Sequence, residues 1–178
     1  NIELPKALSD LFNTYQVEED LEGESPTEVL KLIGPSETLY LKIGHQKFST
    51  TTYSIAREKD VMLWLSERVK VPKVLDYLEN DKHQFLLMKQ LEGKMLYDKW
   101  KNGEYNSHEF VDTFTEAIKQ LQAIKIDGCS FDSSLDVRLS ELKYLIDNDL
   151  VAYDDFVNSK LSFNSPDDLR QHLLATRF

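Results

Sequence analysis

The sequence predicts an α+β fold in two parts, a strand-rich part over residues 1–92 and a helical part over residues 93–178. Five short strand-like runs and one intervening helical stripe lie within the first part. In the second part, apolar residues recur at the spacing of helices. The boundary falls where an apolar run gives way to polar residues.

The elements of the first part follow from alternation, apolar stripes and turn-forming residues. A helix is predicted over residues 5–15, where a proline stands near the start of the stripe. The other elements are predicted, in order, as strands at 16–21, 29–33 and 37–44, a helix at 52–69, and strands at 73–78 and 84–88. Glycine, proline, serine and asparagine mark the turns between these strands.

The second part is predicted to consist of helices joined by loops. A short helix is predicted at 97–101, and a longer one at 107–124 with Ser107 as its N-cap. Further helices are predicted at 135–150 and from Ser165 onward. The stripes of the two long helices are interpreted as core, and they consist of Phe110, Phe114, Ile118, Leu121, Leu135, Leu139, Leu142 and Ile146.

Composition describes a soluble globular protein. Hydrophobic residues make up 41% and aromatic residues 11% of the chain. No apolar run is long enough to span a bilayer, and no signal-peptide pattern occurs. The single cysteine, Cys129, excludes an internal disulfide framework and suits a reducing cytoplasm. The histidines are scattered, which argues against a zinc site.

The net charge of −10 and the isoelectric point near 4.9 limit the partners. The charge argues against nucleic acid, because phosphates require a basic surface. A cationic partner is compatible with this charge. Charge alone, however, favours the simpler interpretation that the acidic surface serves solubility.

A lysine in the middle of an apolar strand is the most informative feature of the first part. Alternation places the leucines and the isoleucine of this strand on one face, and Tyr40 with Lys42 on the other. Lysine is depleted in strands, so its presence there needs a reason. Glu58 supplies one, because it lies on the helical stripe of Ile55 and Met62, where a carboxylate needs a partner.

Pairing of Lys42 with Glu58 would form the phosphate clamp of protein-kinase-like folds. The alternative is that Lys42 lies at a sheet edge with its ammonium group in water, and that Glu58 is an exposed helix charge. The two residues alone favour this alternative. The strands and the helix around them occur in the order of a kinase N-lobe, which favours the pair.

Two further segments lie where a kinase contacts its nucleotide. The turn at 22–26 separates the first two strands, and its Ser25 suits a phosphate oxygen, although a plain hairpin turn explains the same residues. After the apolar run 85–88 the chain becomes polar. This change fits either an extended hinge that exposes backbone groups to adenine or an ordinary interdomain linker.

Several stretches, in order over nearly the whole chain, match one known family. They are Glu22-Gly23-Glu24-Ser25-Pro26, Leu39-Tyr40-Leu41-Lys42, Thr51-Thr52-Tyr53, Arg57-Glu58-Lys59-Asp60-Val61-Met62-Leu63-Trp64-Leu65, Val71-Pro72-Lys73-Val74-Leu75, Ser134-Leu135-Asp136-Val137-Arg138-Leu139-Ser140-Glu141-Leu142 and Asn148-Asp149-Leu150. The chain resembles the aminoglycoside 3′-phosphotransferases, bacterial resistance kinases that move the ATP γ-phosphate to an aminoglycoside hydroxyl. The resemblance implies a protein-kinase-like bilobal fold, in which a five-stranded antiparallel N-lobe sheet with one long helix precedes the helical start of the C-lobe. It also implies a requirement for ATP and Mg²⁺ and residence in the cytoplasm.

The resemblance also implies roles for charged and polar residues. By position, Lys42 would hold the α- and β-phosphates of ATP, Glu58 would orient Lys42, and Ser25 would touch a phosphate. In the family, an acidic loop after the first long C-lobe helices helps to bind the cationic drug. Asp154 and Asp155 lie in the corresponding loop of this chain and are therefore the implied substrate-binding residues.

The adenine contacts implied by the resemblance come from the central strand and the hinge. Tyr40 would stack on adenine, and Met88 would border the adenine pocket. The Lys89 carbonyl and the Leu91 amide would bind the edge of the base, which needs one acceptor and one donor.

The family's catalytic loop, His-Gly-Asp followed by a magnesium-binding Asn, does not occur in this sequence. The resemblance places this loop, and a later Asp-containing magnesium motif, after Phe178. We therefore expect no catalytic residue and no metal ligand within residues 1–178, and no phosphotransfer by this polypeptide alone. We also expect the apolar stripes between residues 107 and 150 to be exposed, with aggregation or dimerisation as the consequence.

The leading hypothesis is ATP-dependent phosphorylation of an aminoglycoside hydroxyl, with this chain supplying the ATP-binding lobe. One alternative is another small-molecule kinase of the same fold, acting on a macrolide, choline or a sugar. The other is a non-catalytic fragment that binds a nucleotide. The sequence leaves open which aminoglycosides fit, whether GTP replaces ATP, and the oligomeric state.

Overall fold

The structure, a computed structural model, describes residues 2–23, 25–152 and 162–176. Its contacts divide the chain into two units, Asn1–Cys129 and Ser130–Phe178. This division groups the first helices after the sheet with the sheet itself. The lobe boundary near residue 92 rests instead on the change from strands to helices, and it stays a prediction.

The first unit is built around a five-stranded antiparallel sheet. The strands are β1 (Gln16–Glu19), β2 (Glu28–Ile33), β3 (Thr38–His45), β4 (Val74–Glu79) and β5 (His83–Lys89). Their order across the sheet is β1-β2-β3-β5-β4, which makes β3 the central strand. The predicted five-stranded sheet is confirmed, and each strand lies within a few residues of its predicted position.

Six helices occur in the described part of the chain. They are α1 (Lys6–Ser9), α2 (Ile55–Leu65), α3 (Leu96–Lys101), α4 (Ser107–Gln122), α5 (Leu135–Asp147) and α6 (Pro166–Ala175). The predicted helix at 5–15 is one α-helical turn followed by a 3₁₀ turn, Asp10–Asn13. None of the described helices has the length and apolarity that crossing a bilayer requires.

The start of α2 and the N-cap of α4 differ from the predictions, and in each case a polar side chain explains the observed start. Helix α2 begins at Ile55, later than predicted, because Ser54 caps it and accepts a hydrogen bond from the N–H of Arg57 at 3.3 Å. The predicted N-cap Ser107 of α4 is wrong. Asn106 caps this helix, and it forms a reciprocal capping box with Glu109.

The two faces of the sheet carry separate cores. On one face, the leucines and the isoleucine of β3 pack with buried residues of α1, β2 and β5. On the other face, Ile55 and Met62 of α2 pack against Leu86 and Met88 of β5. The alternation of β3 therefore points Tyr40, like Met88, to the α2 face.

The apolar stripe of α4 is exposed. Phe114, Ile118 and Leu121 have 53%, 39% and 55% of their surface accessible. The interpretation of this stripe as core is therefore wrong for these residues, since the described part of the chain does not cover them. The expectation that the stripe is exposed is confirmed.

The second unit contains α5 and α6. Leu139 of α5 is buried, with 4% of its surface accessible, as its stripe predicts. Leu135 is half exposed, so the stripe of α5 is only partly core. Helix α6 starts as predicted, because the Ser165 hydroxyl accepts a hydrogen bond from the N–H of Asp168 at 3.1 Å.

Strand β3 and the start of α2 approach each other closely at Gly44. A Cβ atom at this position would lie 2.5 Å from Cγ1 of Ile55. That distance is far below van der Waals contact, so a side chain at this position would displace either β3 or α2. Gly23, in the turn after β1, has open space around the corresponding position.

We predict that Gly44→Ala lowers the free energy of unfolding by about 1–3 kcal/mol, because the added methyl group overpacks this contact. Gly23→Ala is the matched control, and it should change stability by less than about 1 kcal/mol. Urea denaturation followed by circular dichroism measures both. Equal stability of the Gly44→Ala variant and the unchanged protein would show that α2 does not lie this close to β3.

Candidate functional site

A cleft of about 650 Å³ lies in the first unit, between the turn after β1, strand β3, helix α2 and the segment after β5. Every residue to which the resemblance assigns a nucleotide contact lines it, namely Ser25, Tyr40, Lys42, Glu58, Met88, Lys89 and Leu91. The structure therefore brings together residues that lie up to 66 positions apart in sequence (91 − 25).

The predicted pairing of Lys42 with Glu58 is confirmed. The Lys42 Nζ atom donates to Oε1 of Glu58 at 2.7 Å. The alternative of a lysine at a sheet edge is wrong, because β3 has neighbours on both sides and Lys42 pairs with Val29 of β2 and Leu86 of β5.

The Lys42–Glu58 pair is not buried in the core, contrary to what the helical stripe suggests. The two side chains are 28% and 34% exposed, and both line the cleft. Ion pairs with this degree of exposure contribute only about 0–1 kcal/mol to stability. Stability therefore gives little reason for a lysine in the central strand. The pair instead fixes an ammonium group on the wall of the cleft.

The turn between β1 and β2 forms one rim of the cleft. The N–H of Asp20 donates to the carbonyl of Val29 at 2.8 Å, and the N–H of Glu22 donates to the Asp20 carboxylate at 3.0 Å. These bonds make the turn a hairpin connection, as the simpler interpretation had it. Ser25 follows in the same turn, exposed and lining the cleft.

The opposite end of the cleft is formed by β3 and the segment after β5. Tyr40 and Met88 are cross-strand partners there. The N–H of Gln90 still donates to the carbonyl of Thr38, at 3.0 Å, and the chain then leaves the sheet. The N–H of Leu91 has no hydrogen-bond partner among the described residues.

Lys89 is held at two points. Its N–H donates to the carbonyl of Lys73 at 2.9 Å, and its ammonium group lies 3.2 Å from the carboxylate of Glu37. Among the described residues, the Lys89 carbonyl accepts no backbone hydrogen bond other than those that belong to the strand ladders. These contacts fix the start of the segment that carries Leu91.

A second cleft, of about 610 Å³, adjoins the first and shares Asp20, Glu22, Tyr40, Gln90, Gly93, Lys94 and Met95 with it. Carboxylates of β1, of the following turn and of α3 line this second cleft. Lys94 and Glu104 form a 2.8 Å ion pair at its side. Their hydrogen bond raises the pKa of Lys94 and lowers the pKa of Glu104.

Sequence reasoning missed several residues of the first cleft. Val29 lies opposite Lys42 in β2, and Met62 lies one helical turn after Glu58. The same periodicities that identified Lys42 and Glu58 would have placed both residues beside them. Lys94 gave no such signal, because it lies in an irregular segment.

The described residues contain no group of three or more His, Cys, Asp or Glu side chains able to hold a metal ion. Asp154 and Asp155, the implied substrate-binding residues, lie outside the described residues.

The family of the chain follows from its sequence. The sequence model of the phosphotransferase enzyme family matches residues 16–177. The chain belongs to this family. The match covers all five strands of the sheet and all the residues that line the first cleft.

Among the curated relatives of this chain are aminoglycoside 3′-phosphotransferases of three bacteria. The enzyme of Enterococcus faecalis is 39% identical over 147 residues, which are 83% of this chain and 55% of the relative. The enzyme of Staphylococcus aureus is 38% identical with the same coverage, and that of Campylobacter jejuni is 41% identical over 75% of this chain and 52% of the relative. The chain thus spans about half the length of the curated relatives it matches.

A solved structure supports the fold. The crystal structure of an aminoglycoside-3′-phosphotransferase of type VIII matches 97% of this chain and 63% of its own chain, with a TM-score of 0.73 and 20% identity. The fold class predicted from the sequence is confirmed by this likeness.

Proposed function

We propose that this chain forms the nucleotide-binding part of a kinase that transfers the γ-phosphate of ATP to an aminoglycoside hydroxyl. The observation that carries the proposal is the Lys42–Glu58 pair on the wall of a cleft in a chain of the phosphotransferase family. Ammonium groups held in this way bind phosphate oxygens through charge-assisted hydrogen bonds. The relatives' names supply the substrate class.

In the proposed complex, Lys42 contacts the α- and β-phosphates, and Glu58 holds its ammonium group in place. The positive charge at Lys42 is needed because the cleft also carries the carboxylates of Asp20, Glu22 and Glu92, which repel phosphates. Ser25 and the backbone of its turn contact the phosphates from the opposite rim.

The adenine base is proposed to lie between Tyr40 and Met88. The unpartnered N–H of Leu91 is available to a nitrogen acceptor of the base. The Lys89 carbonyl is proposed to accept the hydrogen bond from the exocyclic amine. This arrangement favours the interpretation of residues 89–94 as a nucleotide-binding hinge over that of an ordinary linker.

Three parts of the proposal rest on family membership and composition. Mg²⁺ is expected as the partner of ATP in phosphoryl transfer. The cytoplasm is the proposed location, since it supplies ATP and suits a chain with one cysteine. The aminoglycoside is preferred to a macrolide, choline or a sugar because the curated relatives described above are named for it.

We predict that Lys42→Met weakens ATP binding by about 10- to 100-fold, the loss expected for a charged hydrogen-bonding group. Binding of adenosine, which has no phosphate, should change by less than about twofold. Isothermal titration calorimetry on the chain measures both. Lys82→Met, which changes an exposed lysine of the β4–β5 turn that lines neither cleft, is the control. Equal losses for ATP and adenosine would contradict the phosphate role.

The substrate part of the proposal assigns Asp154 and Asp155 to the ammonium groups of the aminoglycoside. Replacing both by Asn in the full-length protein should raise the KM for the aminoglycoside, more strongly at low salt, and leave the KM for ATP nearly unchanged. Steady-state kinetics at two ionic strengths measures this. The double variant Asp76→Asn with Asp81→Asn, at exposed positions of β4 and the β4–β5 turn, controls for the loss of two negative charges. A similar rise in both KM values would contradict this assignment, because it would show an effect on folding or on the overall electrostatic field of the protein.

A further inference from the structure

A buried glutamine connects the sheet to the start of α2. Gln84 is a residue of β5, paired with Gly44 of β3, and its side chain has the same facing as those of Lys42 and Leu86. Only 4% of its surface is accessible. A polar side chain this deeply buried needs hydrogen-bond partners, because an unsatisfied amide costs about 1–3 kcal/mol.

The side-chain oxygen of Gln84 accepts hydrogen bonds from the N-terminus of α2. Its Oε1 atom accepts from the N–H of Ile55 at 2.9 Å, from the N–H of Ala56 at 3.3 Å and, at a long 3.5 Å, from the hydroxyl of Ser54. The first N–H groups of a helix have no partner within the helix. Here a side chain from the neighbouring strand satisfies them, in addition to the helix's own N-cap.

This arrangement fixes the position of α2 on the sheet from two directions. The hydrogen bonds of Gln84 hold the first turn against β5, and the contact of Ile55 with Gly44 limits its approach to β3. Both contacts lie one turn before Glu58. A displacement of α2 by about 1 Å would therefore move the Glu58 carboxylate out of its 2.7 Å contact with Lys42.

We propose that Gln84 is a positioning residue for the nucleotide phosphates. It acts through α2: by holding the first turn on β5, it sets the distance between Glu58 and Lys42 and so directs the Lys42 ammonium group into the cleft. The inference rests on the proposed function, because the benefit of this geometry is the contact with phosphate. A purely structural role would make Gln84 important for stability only.

Three variants separate the two roles. Gln84→Met keeps the length of the side chain and removes the acceptor. Gln84→Glu keeps an acceptor, and its negative charge is favourable at a helix N-terminus. Thr51→Val is the matched control, because Thr51 is also buried (2% accessible) and its hydroxyl bonds remain within residues 48–53.

The measurements are the affinities for ATP and for adenosine by calorimetry, and the stability by urea denaturation. Gln84→Met should lower ATP affinity by about tenfold or more and adenosine affinity by less than about twofold. Gln84→Glu should restore ATP affinity to within about threefold of the unchanged protein. Thr51→Val should lower stability and leave the ratio of the two affinities unchanged.

If Gln84→Met does not fold, Gln84→Asn replaces it. The side chain of Asn is one methylene shorter, so its carbonyl does not reach the first turn of α2, and the same change in the ratio of the two affinities is expected.

A double-mutant comparison tests whether Gln84 acts on ATP binding through Glu58. In a Glu58→Gln background, Gln84→Met should cause little further loss of ATP affinity, because the contact that it positions is already weakened. Full additivity of the two losses, an unchanged ATP-to-adenosine ratio in Gln84→Met, or an equal change of ratio in Thr51→Val would each overturn the inference. The proposed function fails separately: in that case the unchanged protein does not prefer ATP to adenosine, or its preference does not depend on Lys42.

Discussion

The ion pair between Lys42 and Glu58 joins the two halves of the candidate site. One partner belongs to the central strand of the sheet and the other to the helix that packs on it, so their 2.7 Å contact requires that both elements be placed correctly. The apolar contacts of Ile55 and Met62 hold the helix on the sheet. With more than a quarter of each partner's side chain accessible, the pair adds little to stability. Its consequence is a positive charge fixed by an ion pair in a cleft that also carries the carboxylates of Asp20, Glu22 and Glu92.

Much of this arrangement could be predicted from the sequence, because it depends on short-range periodicity. The alternation of β3 separates Leu41 from Lys42, and the helical spacing of Ile55, Glu58 and Met62 places the carboxylate on the side of α2 nearest the sheet. An unexplained lysine in an apolar strand was the signal that linked them. The order of the strands, and the family resemblance over nearly the whole chain, then gave the fold, which the solved relative's structure supports.

The remaining features could not be predicted, because they depend on which residues meet in three dimensions. The pattern of α2 suggested that Glu58 is buried, whereas it lies at the edge of the buried stripe and faces a cleft. Gln84 appeared as an ordinary polar residue at the start of an apolar run. Its hydrogen bond to the N–H of Ile55 forms only because the fold packs the start of α2 against β5. Likewise, the apolar stripe of α4 correctly indicated a helix. Periodicity does not show, however, which residues pack against such a stripe or whether it is exposed.

The most direct test of the account is chemical labelling of Lys42 by an acyl-phosphate derivative of ATP. The amine of a lysine next to the phosphates attacks the acyl carbonyl, the acyl group stays on the protein as an amide, and ATP leaves. Mass spectrometry of the digested protein then identifies the acylated lysine. The account predicts acylation of Lys42 that excess free ATP suppresses and that Lys42→Met abolishes at this position. Acylation that avoids Lys42, or that free ATP does not reduce, would contradict the claim that this lysine meets the phosphates of a bound nucleotide.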